Sequence, residues 1–542
     1  MADNQQQLGL LNQFDVYLLN ADGTRSVGIT RLIVQMTITE DIFKNTLYGS
    51  VRIKDAVDLL GGKLGVNNAG SNKLKGFPIV GEEFLEVQYT TDFNKESVSL
   101  RFAVYSISDI LYQKNNTLKE YTLNFCSEEH LIDASTAVMK KYKKQNSDNV
   151  KDLCRDYLNL DDGTSIVTNI QNAIGVNTAG NLGYPSTGEK AKFKSKKKLV
   201  TVQATKGLQE CIIPRLSPLQ AAEFLARRSI GEDDQFQSGT FLFFENFEGF
   251  HFCDVEYMIW RGMQKAAQAE NKYIYYYEDP LIRDPKKPVP SSREFKTIHR
   301  IDHLHYFDTI EKIKMGMFES DVLIYDYVNH ATAPYRYRFL DNENNNNNST
   351  TVLGNFKNQS YPENTISFMK KVISDDNKQR KYTRKFFIAK DLSDPDKDTY
   401  LDLIYPNRAS YFTRLAQDVF TIHTYGDPTI KAGDVIMLNI PAGDGNDPRA
   451  ANYYLSGFFL VGTIRHVYTQ TTYQTIMDIY KNSFGAALES TDEAILNKPT
   501  PKTNDGPVVT PPKNDLASTP PADKTAPNAA APDKSPTALK KG

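Results

Sequence analysis

Ser217-Pro218-Leu219-Gln220-Ala221-Ala222-Glu223-Phe224-Leu225-Ala226-Arg227-Arg228 is followed closely by Gly239-Thr240-Phe241-Leu242-Phe243-Phe244-Glu245 and by Gly249-Phe250-His251-Phe252. Ser217 is a good N-cap, Pro218 suits the first helical position, and Gln220 stands at capping-box spacing, so a helix begins cleanly here. Leu219, Ala222, Leu225 and Ala226 are among its apolar residues. Residues 240–244 and 250–252 then flank the turn Glu245-Asn246-Phe247-Glu248-Gly249, which predicts a hairpin. This is α/β structure in the middle of the chain.

On the N-terminal side the period is two. Leu32, Val34, Met36 and Ile38 alternate with polar residues, as do Leu47, Gly49, Val51 and Ile53. Val98, Leu100, Phe102 and Val104 repeat the pattern, and so do Tyr121, Leu123 and Phe125. Such runs predict an antiparallel sheet buried on one face, a barrel or sandwich over 1–127, with a long loop at 61–76. Helical spacing follows at Leu131, Ser135, Val138, Met139 and Tyr142, and again at Val150, Leu153, Cys154, Tyr157 and Leu158. These helices, a polar insertion at 161–198 and the central helix and hairpin make a middle domain over 128–296.

On the C-terminal side, 297–408 reads as mixed strand and helix with a low-complexity Asn344–Asn348 run, a solvated loop. A second β-rich unit is expected over 409–486. Its marks are a Gly433-Asp434 turn before Val435, and strands at 455–468 and 472–480. The remainder, 487–542, is rich in Pro, Lys and Ala and cannot build a core, so it is expected to be disordered or extended. The expected fold class is therefore α+β, mainly β: two similar antiparallel β-barrel domains with α/β domains between them and a disordered or extended Pro-rich C-terminal tail.

Composition agrees with an assembly protein. The chain has 542 residues with 30 Tyr, 29 Phe and one Trp, a balance suited to pleated surfaces and protein contacts. A net charge of −2 gives the whole chain no pull towards nucleic acid or an anionic membrane. Cys126, Cys154, Cys211 and Cys253 lie far apart without CxxC spacing, which reads as reduced and buried in a protein made in cytoplasm. No secretion signal is read at 1–7 and no apolar stretch approaches a membrane span.

The 217–228 and 239–252 stretches resemble the helix and hairpin of the contractile-tail baseplate hub family, which includes the hub of T-even phages and the N-terminal half of the type VI secretion spike protein VgrG. Gly426-Asp427-Pro428-Thr429-Ile430-Lys431-Ala432-Gly433-Asp434-Val435-Ile436, with 455–461 and Ile464-Arg465-His466, resembles that family's second barrel. The resemblance covers about 60% of the chain and its motifs are structural. It implies a homotrimer whose two barrels per chain make a pseudo-hexameric ring. That ring would join a hexameric tail tube, or a tube initiator, to a trimeric spike, with DNA passing through and no sequence-specific contact. Wedge proteins and a tape measure protein are the further partners implied, and the place is the virion tail baseplate, assembled in host cytoplasm. Strands at 98–104 and 457–466 would line or support the channel. The structural and interface residues implied are Ser217, Pro218, Phe243, Phe244, Gly249, Gly426, Pro428, Gly433, Asp434, Gly457 and His466.

Catalytic patterns are absent from the sequence. No GxSxG, GxxxxGK[ST], GxGxxG or paired-Cys motif occurs. His299, His303 and His305 with Asp302 and Asp308 lack an HExxH pattern and read as polar faces of a strand and turn rather than a metal site. Asp444-Gly445-Asn446-Asp447 lacks the full calcium-loop pattern. His466 reads as a hydrogen-bonded barrel residue, and the lysines at 190–198 as a solvated loop with DNA or an acidic neighbour as the alternative. No cofactor, metal or catalytic residue is expected. The rival readings are a peptidoglycan hydrolase, a carbohydrate-binding module, and a hub of a secretion or bacteriocin machine.

Overall fold

The computed structural model describes most of residues 11–160, 197–338, 384–441 and 452–481, with short gaps inside these spans. The insertion at 161–196, the Asn344–Asn348 run, the Asp444–Asp447 turn and the 487–542 tail lie outside the described residues.

One continuous 13-stranded sheet runs through the molecule. Its first half follows the order Ser26–Gly28, Leu11–Leu19, Phe84–Thr91, Val98–Tyr112, Lys119–Cys126, Tyr48–Asp55, Ile33–Asp41, all antiparallel. Leu85, Val87 and Tyr89 alternate with half-buried Phe84, Glu86 and Gln88, the pleat burying one face. These inward side chains curl round a single core with Met36, Ile38, Val51, Ile53, Phe102, Leu123 and Phe125. The expected alternation at 32–38 is interrupted. A register shift between Ile33 and Gln35 puts Ile33 inside and leaves Val34 45% exposed.

The second half closes on itself. Gly457–Tyr468, Val435–Asn439, Ile274–Tyr277, Thr297–Tyr306, Asp418–Tyr425 and Tyr473–Lys481 pair in that order, and the last pairs back onto the first, a closed six-strand barrel. Tyr275, Ile422, Leu438, Phe459, Val461 and Met477 fill its interior. Two of its strands come from ahead of the 409 boundary expected, because Ile274–Tyr277 pairs in parallel with both neighbours and needs a crossover connection. Residues at 409–415 are helical instead, belonging to Leu401–Leu415.

Ile33–Asp41 joins the halves by pairing antiparallel with Gly457–Tyr468, from Thr463 opposite Asp41 to Tyr468 opposite Met36. The helices Glu128–Ser135, Asn146–Tyr157 and Pro218–Ala226 pack around a three-stranded sheet of Leu199–Val202, Gly249–Asp254 and Phe241–Asn246. The first helix stops at Ser135, shorter than its spacing suggested. Val138 bridges Leu216 and Tyr142 pairs with Cys211, so both are buried from extended backbone. A helix at Val255–Gln268, not foreseen, leads from the hairpin to the barrel. Glu319–Asp326, Ala331–Arg338 and Lys385–Lys390 form a further sheet under Leu401–Leu415.

Candidate functional site at the junction of the two halves

The Phe241–Asn246 and Gly249–Asp254 strands turn through Phe247 and Glu248, and this tip reaches both halves of the large sheet. Gly249 sits at φ +139, and a Cβ there would fall 2.4 Å from the Lys198 carbonyl oxygen, so only glycine fits the turn. Phe243 stacks on Phe250 at 5.6 Å in the middle-domain core. Phe244 stacks on His251 at 5.1 Å on the opposite face.

Glu40, His466 and Phe247 make the centre of the junction. Glu40 Oε1 lies 2.8 Å from His466 Nε2, while Oε2 accepts from the backbone N–H groups of Ala432 (3.2 Å) and Phe247 (3.4 Å). His466 Nδ1 lies 2.8 Å from the Tyr473 hydroxyl, and the Phe247 ring stacks on the imidazole at 4.5 Å. With Glu40 ionised, Nε2 carries the proton and Nδ1 accepts from Tyr473 O–H. Glu40 and His466 are both fully buried. One carboxylate thus pins the first half, the barrel turn and the hairpin tip together.

The turn at 426–434 docks against the same hairpin. Asn246 Nδ2 donates to the Ala432 carbonyl (3.1 Å), and Asn246 Oδ1 lies 2.9 Å from His251 Nε2. Burial pushes His251 down to about 4, so it is neutral at ordinary pH. Gly433, at φ +92, leaves room for Met258 Sδ and the Phe244 ring, which a Cβ would meet at 2.8 and 3.2 Å. Asp434 accepts from Lys431 N–H (3.0 Å) and pairs with Lys265 (3.3 Å); burial nevertheless raises its carboxyl. The Tyr473 ring packs against Gly426, its Cδ1 2.0 Å from where a Cβ would stand, and Pro428 is buried. Asp427 ion-pairs with buried Lys296 and accepts from Tyr275 O–H (3.2 Å) and Thr429 N–H (2.9 Å). Burial alone would raise Asp427, but the Lys296 charge overrides it and holds the carboxyl below its usual range.

Two of the expected residues stand at the edge of the middle domain. Ser217 caps its helix, its Oγ accepting from Gln220 N–H at 3.4 Å with the reciprocal bond in place, and Pro218 is the first helical residue. Asp133 tethers this end, accepting from Ser217 Oγ–H (2.9 Å) and Leu219 N–H (2.6 Å). Gly457 lies at the far end of the barrel at φ +131, with Lys481 Nζ 3.4 Å from its missing Cβ. The residues that converge on the junction are therefore Phe244, Gly426, Gly433, Asp434 and His466.

Glu40 and Phe247 escaped the sequence reading. A signal existed for Glu40, which shares the inward phase of Met36 and Ile38 and so is a charge at a core position. Glu245 is a second such case. Buried, it accepts from Leu47 N–H (2.9 Å) and Ser127 Oγ–H (2.7 Å) and pairs with Lys197, which also reaches Glu129 (3.0 Å). Lys197 was expected in a solvated loop; two acidic neighbours draw it inside instead. His303 bonds Asp418 at 2.7 Å along a strand ladder, and among the described residues no group of three His, Cys, Asp or Glu is placed to hold a metal. Of the cysteines, Cys126, Cys154 and Cys253 are buried and Cys211 is half-buried, all free. No helix among the described residues is long and apolar enough to cross a membrane.

No family model matches the chain, and no curated protein matches it. Among solved structures it is similar to a tail protein from Neisseria meningitidis MC58, with 11% identity, 86% of this chain and 97% of that one covered, and a TM-score of 0.45. It is also similar to a 43 kDa tail protein of prophage MuSo2 from Shewanella oneidensis (8% identity, 86% and 98% covered, TM-score 0.42). A Francisella PdpA-VgrG complex is a third (9% identity, 89% and 60% covered, TM-score 0.37).

Proposed function

We propose that this chain is a structural protein of a contractile-tail baseplate, the central hub, acting as a homotrimer. One observation carries the reading: a single polypeptide holds two β-units side by side, spliced through the Ile33–Asp41 and Gly457–Tyr468 ladder. Three copies would present six such units in a ring, matching a hexameric tube on one face and a trimeric spike on the other. The junction supports this role because its buried polar groups form hydrogen-bonded latches between the halves. The closed barrel is filled with side chains, so a DNA channel would run between subunits, along the outer faces of strands such as Gly457–Tyr468. Wedge and tape measure proteins complete the set of partners in this proposal.

Light-scattering mass measurement of the purified chain, alone and with its spike, tests the reading. Three times the 61.3 kDa chain mass is expected. A monomer under both conditions would overturn it.

A further inference from the structure

A groove of about 840 Å³ opens away from the junction, between the helices Pro218–Ala226 and Leu401–Leu415, the hairpin, and the Asp41–Asn45 turn. Its size is that of a site for a small ligand or a short stretch of peptide. Among the described residues that line it, four are arginines (Arg227, Arg228, Arg384 and Arg408) and one, Glu223, is acidic. Glu223 is already engaged by Arg227 one turn away. The floor is apolar, with Ile42, Phe241 and Phe243 buried beneath half-buried or exposed Phe43 and Phe412.

The guanidiniums are presented rather than spread loosely. Arg408 donates to the Phe241 and Gly239 carbonyls (2.8 and 3.3 Å) and lies over the Phe412 ring at 4.9 Å. Arg384 lies over Phe386 at 5.2 Å, and Arg228 over Phe224 at 4.1 Å. Among the described residues, neither Arg384 nor Arg408 has a carboxylate within ion-pair distance. Desolvation, and then the neighbouring Arg227 charge, push Arg408 down to about 10. Like charges held together in a partly desolvated groove are a standing cost that an anionic occupant would relieve.

We infer that this groove docks an acidic, aromatic-containing segment of a partner polypeptide, carboxylates on Arg384 and Arg408 and an apolar side chain on the phenylalanine floor. Arginine forks match carboxylates in bidentate geometry and stack on aromatic rings. A single-stranded nucleic acid would also bring phosphates to the arginines and bases to the exposed rings, and the oligothymidylate below separates it from the peptide. The inference rests on the groove's charge and lining and stands whether or not the chain is a baseplate hub.

The test uses the full-length protein and a fluorescein-labelled Glu-Phe-Glu-Asp-Phe-Glu peptide, followed by fluorescence anisotropy. A Lys-for-acid version of the peptide and a labelled oligothymidylate of equal charge serve as comparators. Binding of the acidic peptide alone is expected, weakening as salt rises. Losses of about tenfold are expected in both R384Q and R408Q, since a charge-assisted hydrogen bond contributes that much. R408Q also removes bonds to the hairpin backbone; R384Q, on an exposed side chain, leaves the fold intact and keeps the test decisive. Absence of binding, unchanged affinity in R384Q, or equal affinity for the oligothymidylate would each overturn the inference.

Discussion

The two halves of the large sheet have similar strand counts but complete their walls differently. The C-terminal barrel closes by backbone, Gly457–Tyr468 pairing with both Val435–Asn439 and Tyr473–Lys481. The N-terminal half leaves Leu11–Leu19 and Ile33–Asp41 without a shared ladder among the described pairings. Its seam is filled by a short 3-10 turn at Thr30–Leu32, by Ile29 N–H donating to the Val16 carbonyl, and by Leu11 N–H donating to Thr471. Two tyrosines from the barrel's own hairpin then enter the N-terminal core. Tyr468 stacks on Phe14 (5.7 Å) and on Tyr473 (4.6 Å), and Tyr89 packs on both. The lesson is one of dependence: the barrel is complete by itself, whereas the first half needs the barrel to seal it.

Removing the seal should have the largest effect. Tyr468→Ala is expected to cost about 4 kcal/mol, the range for deleting a buried aromatic. Amide exchange should quicken in Leu11–Leu19 and Phe84–Thr91 well before the barrel strands Asp418–Tyr425. Equal acceleration in both halves would show that the dependence runs both ways.

Glu40→Ala attacks the latch shared by the halves and should cost about 3 kcal/mol, because His466 and two backbone N–H groups lose their acceptor in a buried site. Urea titration would measure it. Glu40→Gln keeps an acceptor oxygen and should restore about half of the loss.

Acid should loosen the hairpin from the barrel turn. Burial depresses the folded pKa of His251 from the ordinary imidazole value of 6.5 to about 4, so between these values the unfolded chain binds the extra proton. Stability is whole above pH 6.5 and falls as pH drops towards 4, by about 2 kcal/mol at pH 5. His251→Gln should flatten that part of the pH–stability curve, and an unchanged slope would remove His251 from the account.

The smallest effect belongs to the middle domain, away from the seam. Ser217→Ala loses a capping-box bond and the tie to Asp133, for about 1 kcal/mol. Exchange in both β halves should stay as it was, measured by the same amide protection.

Local rules made much of this chain legible from its residues. The Ser217 cap, the Phe241–Asp254 hairpin, the Gly433-Asp434 turn and the period-two strands at 47–53 and 121–125 depend on neighbours within a few positions, and each stands where its pattern put it. Where the pattern misled, longer-range pairing had intervened. The bulge at Ile33/Gln35 reversed Val34, and extended pairing took Val138 and Tyr142 out of a helical register. His466 was legible as a bonded barrel residue, but its partner Glu40 stands 426 positions away. The sequence by itself determined the β-rich class, the central helix and hairpin, and the glycine turns, because backbone sterics and side-chain alternation act locally. Tertiary structure alone decided that Ile274–Tyr277 and Thr297–Tyr306 complete the barrel, that two of its tyrosines seal the other half, and that Glu40 binds three segments at once. Those outcomes depend on which distant segments share a ladder or a core, and no local period encodes that choice.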